Sequence, residues 1–141
     1  MTARRPLRNA WPVLGIAVVL LGAAWLSVSA AGSGAAVTVS IASFQFSPRV
    51  VGAHPGDTVT WTNYDNYAHT VTSDPSQISA YGPNSDTQFP NGIPPEQSYS
   101  WTVPGNAPAG ITWYYYCRFH GVPGDGTTFG QGMTGAVTIA P

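Results

Sequence analysis

The chain predicts an all-β protein, a sandwich or barrel of about seven or eight strands, and three observations lead there. Apolar and polar residues alternate with a period of two in "VTVSI", "TVTWT", "SYSWTV" and "ITWYYYC", the pattern of strands with one buried face. Turn-forming clusters, "HPGD", "GPNSD", "PNGIPPE", "PGNAPAG" and "VPGDG", separate those runs. No stripe of helical period competes with them in this part of the chain. The parity of "VTVSIASFQF" slips between Ile41 and Phe44, which predicts a bulge or bend near Ala42. The least strand-like stretch, Asp74 to Pro95, predicts a long polar loop or a short helix joining two strands.

The first thirty or so residues follow other rules. Arg4, Arg5 and Arg8 precede an uncharged stretch from Trp11 to Ala31, and the small, flexible run "AAGSGAA" follows. This is the layout of a secretory signal, with small residues at Ser29 and Ala31, or Val28 and Ala30, suited to cleavage. The stretch also approaches the roughly 20 apolar residues of a membrane-spanning helix. Residues 1–34 are therefore expected to be a signal peptide or membrane anchor with a short linker, and 35–141 one β-domain. The expected location is exported, periplasmic or on the outer face of the cell membrane, cleaved or tethered by that helix.

Composition narrows the function. Beyond the linker, six acidic residues face two arginines, Arg49 and Arg118, with no lysine, a net charge of minus four. Phosphate backbones demand clustered cations, so nucleic acid is a poor partner. The single cysteine, Cys117, cannot pair within the chain. In an exported protein it is an intermolecular link, a reactive thiol or a metal ligand.

The C-terminal "YYYCRFHGVPGDGTTFGQGMTGAVTIAP" gathers Cys117, His120 and Met133, the only methionine beyond the start residue. His69 lies well upstream in "NYDNYAHTVTS", at the start of an apparent strand. A thiolate, two imidazoles and a weak axial thioether are the donor set of a blue-copper site, and the sequence holds few spares. His54, in the turn "GAHPGD", reads as a solvent-facing loop residue. Gln131 is an alternative axial donor, since glutamine fills that role in some blue-copper sites. Trp61, Trp101, Trp113 and Tyr115 alternate with polar residues as an inward face does, so they read as core.

The segments "FQFSPRVVGAHPGDTVTWTNYDNYAHTVTS" and "WYYYCRFHGVPGDGTTFGQGMTGAVTIAP" resemble the small cupredoxins, the plastocyanin, amicyanin and pseudoazurin group, over nearly all of residues 37 to 141. The resemblance implies an eight-stranded Greek-key sandwich with one type 1 copper ion at its loop-bearing end. It implies His69, Cys117, His120 and Met133 as ligands, and Asn63 and Asp65 as braces of the ligand loops, although both also suit turns. It further implies a one-electron carrier, not an enzyme, whose His120 ring edge lies in an apolar patch that Val122, Pro123 and Phe129 could build. Redox partner proteins would dock there weakly and transiently with a monomer. The rival reading is extracytoplasmic copper storage or delivery. Catalysis by a second copper centre lacks ligands, because only His54 remains unassigned. One departure stands out: "GVPGDGTTFGQG" separates His120 from Met133, where small cupredoxins place only a few residues.

Overall fold

A computed structural model describes residues 34–77 and 81–141; the signal or anchor expected over residues 1–34 lies outside them, but for Gly34. Eight strands follow in order, with no helix among the described residues. They are β1 (Ala36–Ala42), β2 (Gln45–Ser47), β3 (Val50–Ala53), β4 (Thr58–Asn63), β5 (Thr72–Ser73), β6 (Ser98–Thr102), β7 (Thr112–Val122) and β8 (Gln131–Ile139). The order β2-β1-β4-β6 makes one four-stranded sheet and β3-β8-β7-β5 the other. β1 pairs parallel to β4 and β3 parallel to β8, while the remaining neighbours are antiparallel. The chain therefore changes sheets repeatedly, so each sheet is assembled from segments separated by strands of the other.

The alternation read from the sequence becomes the packing. Val59 and Trp61 of β4 point inward and meet Trp113, Tyr115 and Val137 of the opposite sheet, all buried. Trp61 packs edge-on against Tyr115, with ring centroids 5.3 Å apart. At about 25 cal/mol per Å² of apolar surface removed from water, such aromatics are among the largest contributors to folding. Outward residues pair across strands instead: Thr60 with Ser100 and Thr62 with Ser98, each at 2.8 Å. Gly135 gives Tyr115 its place, because a Cβ there would sit 2.4 Å from the phenol ring.

Of the bulge or bend expected near Ala42, the structure shows the bend, made as a tight hairpin turn. Ser43 and Phe44 carry φ of 51° and 59°, joining Ala42 to its partner Gln45. Two successive left-handed residues are what a type I′ hairpin requires, at a steric cost that glycine or asparagine usually avoids. The interval between His120 and Met133 is part strand. β7 runs on to Val122, with Gly121 opposite Gly132 and Val122 opposite Gln131, so only residues 123–130 form the tip of a hairpin. The long connection after Asp74 holds turns but no helix among its described residues.

Candidate metal centre

Cys117 faces inward because it continues the parity of Trp113 and Tyr115 along β7, and it is fully buried. The regular ladder between β7 and β8 breaks between Tyr116 and Gly121. That irregularity brings His120 back beside Cys117, with Nδ1 3.5 Å from Sγ. His69 arrives from the connection between β4 and β5. Its backbone forms an isolated bridge with Ile93, through amide-to-carbonyl bonds of 3.2 and 2.6 Å, so it precedes β5 rather than beginning it. Its Nδ1 lies 3.7 Å from Cys117 Sγ and 3.2 Å from His120 Nδ1.

Three donor atoms thus form a triangle with sides of 3.2, 3.5 and 3.7 Å. The centre of such a triangle lies about 2 Å from each corner, the bond length imidazole and thiolate make to a first-row metal. Two imidazole nitrogens and a thiol facing one another in a buried corner have few hydrogen-bonding solutions, whereas a soft cation satisfies all three. The donor set fits copper. Met133 is buried at 3% exposure and lines the same cavity as His120. Gly132, with φ of 71°, lets β8 approach there, since a Cβ would stand 2.5 Å from the His120 carbonyl oxygen. Gln131 is exposed and does not line that cavity.

The surrounding bonds hold these side chains in place. Asp65 accepts from the amides of Ser43 and Phe44 at 2.6 and 2.9 Å, and its Oδ2 lies 2.9 Å from His69 Nε2. One carboxylate therefore offsets the strain of the left-handed turn and orients a histidine. A partner on the outer nitrogen fixes which nitrogen of an imidazole faces a metal. Desolvation opposes ionisation of Asp65, but the Phe44 and Ser43 amides and the imidazole prevail and hold it below the usual carboxylate range. Burial pushes the His69 imidazole below its ordinary value against the pull of Asp65, and His120 adds to the fall. A neutral imidazole is the form that binds metal. Asn63 donates to the carbonyls of Tyr67 and Ile93 and accepts from the Asp65 amide. Thr70 ties the two halves together, its amide 3.4 Å from Cys117 Sγ and its hydroxyl accepting from the Arg118 amide at 2.9 Å.

The surface around His120 differs from the expected one. Phe129 is taken up by Tyr114 and by the Arg49 guanidinium, 3.8 Å above its ring. Phe44 packs edge-on to His120 at 4.8 Å, and Phe119 lies 6.2 Å away; both are half exposed, and Val122 more so. Neither Phe44 nor Phe119 was expected at this surface from the sequence, although Phe119 stands next to His120 in "CRFH". Only the turn brings Phe44 there. His54 is exposed beside Asp57, as a turn residue should be, and Trp61, Trp113 and Tyr115 are core.

A two-sheet sandwich of eight strands with a His-Cys-His cluster at one end is a cupredoxin. The family model described as copper binding proteins, plastocyanin/azurin family, matches residues 34–140, and the chain belongs to that family. Among solved structures, a Cu(I) amicyanin variant is similar over 74% of this chain and 81% of its own, at 24% identity and a TM-score of 0.52. A second amicyanin variant, in its reduced state, shows 26% identity over the same shares with a TM-score of 0.47. The first likeness speaks for the fold.

Proposed function

We propose that this protein is an exported one-electron carrier in which His69, Cys117, His120 and Met133 hold one type 1 copper ion. The observation that carries the reading is the triangle of two Nδ1 atoms and one Sγ, 3.2 to 3.7 Å apart. Copper bound there supplies one electron per cycle by passing between its cuprous and cupric states. The chain's part is to keep the donors still. Cys117 is anchored in β7 and receives the Thr70 amide; His69 is pinned by Ile93 and Asp65; Met133 follows a β-paired Gly132. Donors that cannot relax toward either oxidation state's preferred geometry keep reorganisation small, which favours fast transfer.

His120 is the route out. It is partly exposed, unlike His69, and is flanked by Phe44 and Phe119. A small apolar rim of this kind suits the weak, short-lived docking of redox proteins. With one cysteine and three histidines in the whole chain, no second copper centre of the oxidase type can be assembled. Reversible voltammetry of the copper-loaded protein, with its visible spectrum, tests the reading. An intense thiolate-to-copper band and a reversible one-electron wave are expected. Ready transfer of copper to a chelator without a reversible wave would replace it with storage or delivery.

A further inference from the structure

A cavity of about 600 Å³ opens beside the metal centre, lined by His120, Met133, Arg49, Gln45, Phe44 and Phe46 among others. Its size is that of small-molecule sites. Arg49 is what distinguishes it. The ion pairs among the described residues are His54 with Asp57, His69 with Asp65 and Arg118 with Asp86, and Arg49 belongs to none of them. Arg49 is exposed, so its guanidinium is open to an anion from solvent. It is also held in place: Nη2 donates to Thr134 Oγ1 at 2.7 Å, and Cζ lies over the Phe129 ring, 3.8 Å from its centroid. A guanidinium carries five N–H donors in a rigid fork shaped for oxyanions, and Thr134 uses one of them. Phe44, Phe46 and Met133 contribute apolar lining, and Gln45 adds an amide.

We propose that this cavity is a binding site for a carboxylate with an apolar body, with Arg49 as its counter-charge. The carboxylate would take the free edge of the guanidinium and the body would cover Met133 and the flank of His120. An anion in that position stabilises the more highly charged cupric state, so binding would tune the protein's potential. The same chemistry can come from a free small acid or from an acidic side chain on a docking protein.

The test uses the full copper-loaded chain, with benzoate as the free probe, benzamide as its neutral match and an oligoglutamate peptide as the protein-borne probe. Calorimetry should show saturable benzoate binding that benzamide does not compete with, and voltammetry a fall in midpoint potential with the same saturation curve. Arg49→Gln should weaken benzoate binding at least tenfold. Gln45→Glu, which leaves Arg49 on Phe129 and Thr134, should weaken it by a similar factor through charge repulsion. Oligoglutamate binding more tightly than benzoate, with the same dependence on Arg49, assigns the site to a docking protein. The proposal is overturned if neither probe saturates, or if both variants bind as the parent does. Calorimetry reads this without reference to electron transfer, so the outcome stands apart from that of the carrier function.

Discussion

His69 Nε2 and Asp65 Oδ2 are 2.9 Å apart, and the same carboxylate caps the amides of the Ser43–Phe44 turn. The orientation of a buried donor and the position of Phe44 over His120 are thus set by one side chain. Asp65→Asn cannot reproduce this, because a carboxamide offers one acceptor and one donor where three N–H groups converge. Loss of a brace on a ligating imidazole typically costs 10–100-fold in metal affinity. We expect copper affinity to fall by about that factor, and the potential to rise as a negative charge is removed. Chelator competition and voltammetry measure the two effects; an unchanged affinity would reduce Asp65 to a turn residue.

Cys117→Ser removes the soft donor and should abolish the intense visible band, while Met133→Gln should keep a coloured site at lower potential, since oxygen favours the cupric state. Spectra and voltammetry of the two variants distinguish the thiolate from the axial position. A large shift for Gln131→Ala with none for Met133→Gln would move the axial role to Gln131, despite its exposure.

His120→Gly should open the site from outside, because this ring, unlike that of His69, is partly exposed. Added imidazole should then restore the parent spectrum. No response to imidazole would mean that His120 is not an accessible ligand.

Acid should destabilise the metal-free protein in two stages. The imidazole of His69 is depressed by burial. The unfolded chain therefore takes up its proton first, and stability begins to fall as pH drops through about 6.5. Asp57 is held low chiefly by the His54 amide and further by that of Ala35, against desolvation. Its contribution is present above the ordinary carboxylate value near 3.9 and is lost as pH falls through and below it. Melting temperature against pH shows both stages, and Asp57→Asn should flatten the lower one. A melting temperature that rose between pH 7 and 5 would contradict the first.

What was legible in the sequence is local or unique. Period-two alternation located β4, β6 and most of β7, and a single Cys with one Met beyond the start residue left little choice of soft donors. What was not legible depends on distant partners. Ser43 and Phe44 carry no type I′ preference of their own, and their turn is held by Asp65, more than twenty residues away. The continuation of β7 into a hairpin was hidden by glycines that read as loop. There the backbone pairs where side chains carry no alternation. The engagement of Phe129 by Arg49 likewise needs β3 and β8 to be neighbours.

The hairpin of β7 and β8 closes through residues 123–130. Asp125 organises its tip by accepting from the amides of Thr127 and Thr128, while the pairs Gly121–Gly132 and Val122–Gln131 lie between the tip and Met133. The position of Met133 should therefore be independent of the tip. Replacing residues 123–130 with Asn-Gly supplies the turn a two-residue hairpin prefers. By length alone it lowers closure entropy by about 1 kcal/mol, at roughly 0.6 kcal/mol per halving. Loss of the Phe129 contacts offsets part of that gain. We expect the visible band and the potential to stay near those of the parent, while the electron self-exchange rate, read from NMR line broadening in mixtures of the two oxidation states, changes several-fold. Self-exchange requires two copies to meet at the face the tip flanks. A potential that moved while self-exchange did not would mean that the long interval acts on the metal centre and not on docking.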